Sequence, residues 1–236
     1  MKTDFTSPKL SFKKIKMPTF GNVPDFWGFH EPRVDVEMKE YQINFENASD
    51  FASKIRFEKN FRLYSFLRCN FQYIDALFHF FCEHRIKANR LLITTLGLNV
   101  EAWGSIVELL EVGAVKQFDL VVSSYFYHHN REIVQVIKDE FARLQDEGKC
   151  NAQLSVCSNH SKIIAFSTEC GKKFVFHGSA NAASSDNIEQ VMIEENEQLF
   201  DFNCAFFDKI INYFCTNKSA LELRGKTAWA VATKSE

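Results

Sequence analysis

The stretch that decides the fold is His160-Ser161-Lys162-Ile163-Ile164-Ala165-Phe166, followed after a polar turn by Phe174-Val175-Phe176-His177-Gly178-Ser179-Ala180-Asn181. Four uninterrupted apolar residues after Lys162 form the pattern of a strand buried on both faces. Gly171 stands among polar residues between Thr168 and Lys172, which predicts a hairpin turn centred near residues 169–171. Folding the second strand back then sets Gly178 to Asn181 opposite His160 and Lys162. Side chains two apart on a strand share a face, so His160 and Lys162 point the same way; Ser179 and Asn181 are also two apart.

Outward from that hairpin, strands alternate with helices. A strand near Phe61 to Leu67 precedes an amphipathic helix with Phe71, Ile74, Phe78 and Phe81 on one face. Leu91 to Thr95 reads as a buried strand, and Asn99 is placed to cap a helix in which Ala102, Ile106, Leu109 and Gly113 recur at helical spacing. Phe118 to Ser123 is the next apolar strand. Asn130 is placed to cap a helix carrying Ile133, Ile137, Phe141 and Leu144, with Gly148 at its end. Leu154 to Val156 adds another strand, and Val191 to Ile193 is strand-like. The alternation predicts an α/β fold, a mixed, mainly parallel sheet with helices on both faces.

All four prolines, Pro8, Pro18, Pro24 and Pro32, fall near the N-terminus. The shift in composition predicts a loop-rich arm over 1–60 and a compact body over 61–236. Val34 and Val36 alternate with charged residues and suit a short strand within the arm. Lys9, Lys13, Lys14 and Lys16, interleaved with Phe12 and Phe20, have the makings of a phosphate-gripping, base-stacking patch; a solvated terminus is the plainer reading.

The formal charge of −2 over 236 residues excludes a global basic field, so any polyanion must be held locally. The 25 phenylalanines read as core filler. Seven cysteines form no Cys-x-x-Cys pair, and their odd number does not suggest a disulfide framework. Cys150, Cys157 and His160 lack a fourth ligand at matching spacing, and no metal or other cofactor is expected. The longest apolar stretch, Phe71 to Cys82, is broken by Gln72, Asp75 and His79 and is too short to span a bilayer. With no signal-peptide pattern at the start, the expectation is a cytoplasmic protein that does not engage a membrane.

The converging groups suit in-line attack at phosphorus: an imidazole nucleophile, a lysine for a phosphate oxygen, and hydroxyl and amide donors for the others. His-x-Lys followed by Gly-Ser-x-Asn resembles the His-Lys-Asp motif of the phospholipase D superfamily. Asn187-Ile188-Glu189-Gln190 resembles that family's acidic residue downstream, and the likeness covers about residues 61–210. It implies that His160 is the nucleophile forming a phosphohistidine, that Lys162 and Asn181 bind nonbridging oxygens with help from Ser179, and that Glu189 orients the histidine. No metal is needed in that scheme.

Ser167 stands where the family has aspartate, five residues after Lys162, which keeps a degenerate, inactive copy among the readings. Tyr125, His128 and His129 follow a strand end, where ligands bind in α/β sheets, though a surface loop explains them too. His177 is turned away from the motif by alternation. A compact body with one motif resembles the family's nuclease-like branch, which implies a nucleic-acid phosphodiesterase. A lipid phosphodiesterase and a non-catalytic nucleic-acid-binding or assembly module are the alternatives. The chemistry needs a second imidazole and the chain has one motif, so a two-fold homodimer with a shared site is expected.

Overall fold

The computed structural model describes residues 40–42, 45–67, 71–183 and 187–234, all within the unit Glu31–Glu236. The expected Val34–Val36 strand and the lysine-rich patch lie outside the described residues. In chain order the elements are β1 (Glu40–Gln42), α1 (Ala48–Ser53), β2 (Arg62–Leu67), α2 (Tyr73–Glu83), β3 (Ala88–Thr95), α3 (Val100–Glu111), β4 (Val115–Ser123) and α4 (Ser124–His129). They continue with α5 (Arg131–Asp146), β5 (Asn151–Cys157), β6 (Ile163–Thr168), β7 (Lys173–Gly178), β8 (Glu189–Glu195), α6 (Glu197–Thr216) and α7 (Gly225–Thr233).

The strands form one eight-stranded sheet in the order β1-β2-β8-β7-β6-β3-β4-β5. Its pairings β1–β2, β3–β4 and β4–β5 are parallel, because helical segments carry the chain back between consecutive strands of the β3-β4-β5 unit. The pairings β2–β8, β8–β7, β7–β6 and β6–β3 are antiparallel. The sheet is mixed, as expected, but its parallel share is smaller than alternation predicted: β6 to β8 run as a meander with no helix between them.

Both faces are buried. Leu91 and Ile93 of β3 and Ile164 and Phe166 of β6 face a core shared with α1, α2, α3 and α5, while Leu92 and Ala165 face the core under α6 and α7. Many of the phenylalanines fill the first core: Phe166 stacks on Phe174 at 5.3 Å between ring centroids, and Phe174 on Phe57 at 5.5 Å. No helix among the described residues is long and apolar enough to cross a membrane.

Several local expectations hold in the backbone. Asn99 caps α3, its side chain accepting from Ala102 N at 2.9 Å, and Gly148 takes φ +67° beyond α5. Others change. Gly113 lies outside α3 with φ +62°, a turn residue rather than a helical one. Asn130 stands at the N-cap of α5, yet its side chain accepts no cap bond; its amide instead donates back to Phe126 O of α4 at 3.4 Å. In α2 the fully buried face is Ile74, Leu77, Phe80 and Phe81, with Phe71 and Phe78 at its margin.

Glu40–Gln42 pairs with β2, and Phe51, Ala52 and Ile55 are buried in the first core, so this part of the stretch before residue 61 packs on the body. The sequence reading assigns no element after Ile193; α6 and α7 supply the cover for the second face.

Candidate active site

The hairpin expected from Gly171 is present: Gly171 has φ +87°, and Thr168 N donates to Lys172 O at 2.9 Å. The register pairs Ile163 with His177. Just beyond that pair, Lys162, Gly178 and Ala180 line one small hollow, at the end of the sheet where β3, β4 and β5 end. The strand itself begins at Ile163 rather than His160. Beyond its pairing with Thr94 the segment leaves the ladder and is held by side chains instead. Thr94 Oγ1 lies 2.8 Å from Ser161 Oγ, which donates to Asn159 Oδ1 at 2.6 Å.

His160 and Lys162 come together as the spacing requires. Lys162 Nζ lies 3.3 Å from His160 Nδ1 and donates to the His160 carbonyl at 3.2 Å. His160 is exposed. A protonated lysine can only donate, so in this arrangement Nδ1 is the acceptor and Nε2 carries the ring proton.

Ser179 and Glu189 form a second pair. Ser179 Oγ donates to Glu189 Oε2 and accepts from Gln190 N at 2.9 Å, while Ser179 N donates to Gln190 O at 2.9 Å. A hydroxyl has one proton, so the one expected to help bind phosphate is already committed to the carboxylate. Glu189 is buried, and Ser179 fixes it at the start of β8.

Gly178 makes this junction possible. Its φ is +153°, and a Cβ there would run into the backbone oxygen of Gln190. Asn181 follows with its Oδ1 buried and without a partner among the described residues.

His177 lines the same hollow as Lys162 and Gly178, and its ring is engaged by β8. Its Nε2 lies 3.3 Å from Glu194 Oε1, and Glu194 also binds Arg62 Nη2 at 2.5 Å. Burial opposes the charge on Glu194, but the bonds from His177, Asn196 and Arg62 outweigh it and hold its carboxyl below the ordinary 4.5. Ser167 pairs with Arg90, which is bound by Asp119 at 2.8 Å and Asp208 at 2.5 Å. Five strand residues, about 16 Å, separate Ser167 from Lys162.

Tyr125, His128 and His129 lie on α4 rather than on a loop. His129 stacks on Tyr125 at 4.1 Å, and His128 Nε2 lies 2.8 Å from Glu222 Oε2. The Glu222 contact depends on Leu223 pairing with Cys157 at the sheet edge, which no local signal in the sequence foretells. Among the described residues no group of three or more histidine, cysteine or acidic side chains is arranged to hold a metal ion.

No family model matches the chain, and no curated protein does. Among solved structures it is similar to phosphatidylserine synthase of Haemophilus influenzae Rd KW20, at 13% identity and a TM-score of 0.40, covering 60% of this chain and 36% of that one. It is similar to yeast tyrosyl-DNA phosphodiesterase at 13% identity and a TM-score of 0.34, covering 57% and 31%. For polyphosphate kinase from Porphyromonas gingivalis the figures are 16%, 0.33, 58% and 20%. The chain thus spans little more than a third of the first of these and less than a third of the other two.

Proposed function

We propose that the chain is a phosphodiesterase of the phospholipase D type, most suited to nucleic acid, with His160 as nucleophile. The observation that carries this reading is the β6–β7 register. That register ends at Ile163 and His177; just beyond it Lys162 and Gly178 line one hollow, and Lys162 Nζ lies 3.3 Å from His160 Nδ1.

In the proposed reaction a nonbridging phosphate oxygen draws Lys162 away from Nδ1, since a charge-assisted bond to phosphate is stronger than one to a neutral imidazole. Nδ1 then takes the ring proton, and the Nε2 lone pair attacks phosphorus in line. The P–N bond forms as the P–O bond to the leaving group breaks. Asn181 donates to a second nonbridging oxygen. Glu189, held by Ser179, supplies the negative charge that stabilises the imidazolium. A second imidazole, the His160 of a second copy across a two-fold axis, protonates the leaving oxygen and later activates the water that cleaves the phosphohistidine. Ser167, the departure from the motif, stands about 16 Å along the strand from the lysine, consistent with an intact site.

The test is release of nitrophenol from bis-p-nitrophenyl phosphate by the full chain in EDTA, with DNA, RNA and phosphatidylcholine as parallel substrates. Turnover that survives EDTA, is greatest on nucleic acid and falls on the order of a thousandfold in His160→Ala is expected. Activity that needs magnesium, or a mild effect of His160→Ala, overturns the mechanism. Cleavage of phosphatidylcholine alone reassigns the substrate.

A further inference from the structure

Beneath the candidate site one row of residues crosses three strands. Ser65 of β2 pairs with Val191 of β8, and Val191 with Gly178 of β7. Lys162, just before β6, lies beside Gly178. Gly178 contributes no side chain to it, and a hollow of about 10 Å³ lies there, lined by Tyr73, Ile93, Thr94, Lys162, Gly178 and Val191 among others. That is the lower bound of the roughly 10–15 Å³ that one water needs.

The polar atoms around the hollow are unusual. Tyr73, the first residue of α2, is 5% exposed, and its hydroxyl has no partner. Ser65 Oγ and Asn181 Oδ1 are likewise buried and unpartnered. Ser65 sits across from one lining residue, Val191, and Asn181 lies between two others, Ala180 and Ala182. Buried polar groups in folded proteins are nearly always hydrogen-bonded, to protein or to ordered water. A buried, unpartnered hydroxyl on a residue that lines a space of one water's size therefore points to a missing bond partner there.

We propose that the Tyr73 hydroxyl holds an ordered water in the hollow under Gly178 and Lys162, and that Tyr73 is thereby a positioning residue for the candidate phosphate site. The water, with two protons and two lone pairs, bonds the tyrosine and the neighbouring side-chain oxygens. It thereby supports the segment that carries Asn181 and the base of the Lys162 side chain. The tyrosine itself does not touch substrate. Burial pushes its ionisation far above the usual tyrosine range, so it stays a neutral donor and acceptor throughout. The positioning role rests on the proposed function; the water does not.

The experiment compares full-chain wild type with Tyr73→Phe by high-resolution crystallography, thermal unfolding and bis-p-nitrophenyl phosphate turnover across pH. Wild-type density for a water bonded to the tyrosine hydroxyl is expected, lost in the variant. The variant's melting midpoint should fall by about 2–4 °C, because a satisfied hydroxyl has been removed. Its kcat should fall about tenfold, with little change in KM and a displaced basic limb of the pH profile. A dry hollow, or a variant more stable than wild type, overturns the water, since removing a truly unpaired hydroxyl relieves a cost. A bound water with unchanged kcat and pH profile overturns the positioning role. Wild-type protein without turnover overturns the proposed function instead, and density and melting then decide the water alone.

Discussion

The contact between Lys162 Nζ and His160 Nδ1 sets the tautomer from which the proposed chemistry starts. In that proposal the carboxylate that balances the imidazolium acts once the lysine has moved to phosphate, and the carboxylate assigned to it, Glu189, is bound by Ser179. Glu189→Gln keeps the shape and removes the charge, and Ser179→Ala releases the carboxylate. Each should lower turnover by about ten- to a hundredfold while the protein stays folded, as judged by circular dichroism beside the kinetics. Unchanged kinetics in both would remove the pair from the site. Glu194 gives a prediction of stability rather than catalysis. Its folded pKa lies below the ordinary 4.5, so its contribution is fully present above that value and is lost as pH falls below 4.5 through the folded pKa. Arg62→Met leaves this buried carboxylate without its cation, whose side chain is 13% exposed against 6% for Glu194. The variant should lose about 3 kcal/mol at neutral pH, with a smaller deficit at acid pH, read from urea unfolding at several pH values. A deficit that does not change with pH would mean that Arg62 acts through packing alone.

Among the elements, the junction of β7 and β8 carries the most constraint. Gly178 ends β7 at φ +153°, with the Gln190 backbone oxygen where a Cβ would be. Gly178→Ala must therefore push β8 away or bend β7, and either movement separates Ser179 from Glu189. A loss of about 3 kcal/mol in unfolding free energy is expected, together with loss of turnover. An alanine variant as stable and active as wild type would show that the backbone relaxes there without cost. The hairpin before this junction was readable because Gly171 and the apolar alternation are local signals. The strand start at Ile163 was not, since it depends on where the partner strand β3 stops pairing, at Thr94. The Asn130 cap fails for a similar reason: α4 places Phe126 O within reach of the same amide.

For the whole molecule, the proposed second imidazole comes from another copy, so activity and association should rise together with concentration. Sedimentation of the pure chain paired with specific activity across dilution tests this: activity per chain should fall as dimer dissociates. A monomer that keeps full activity would sink the shared site and turn attention to an acid within the chain, with His177 beside Glu194 and His128 beside Glu222 as paired candidates. At this scale the division between sequence and structure is plain. Periodicity determined the α/β class, the covered sheet and the hairpin, because burial patterns and short turns are written within a few residues of one another, while His160, Lys162, Ser179, Asn181 and Glu189 were proposed from the resemblance of a short motif. Tertiary structure alone decided that the sheet is only partly parallel, that Glu40–Gln42 pairs with β2, that α6 and α7 close the second face, and that the Ser179 hydroxyl serves Glu189. Those outcomes depend on pairings and packing between segments far apart in the chain, whose geometry no local pattern specifies.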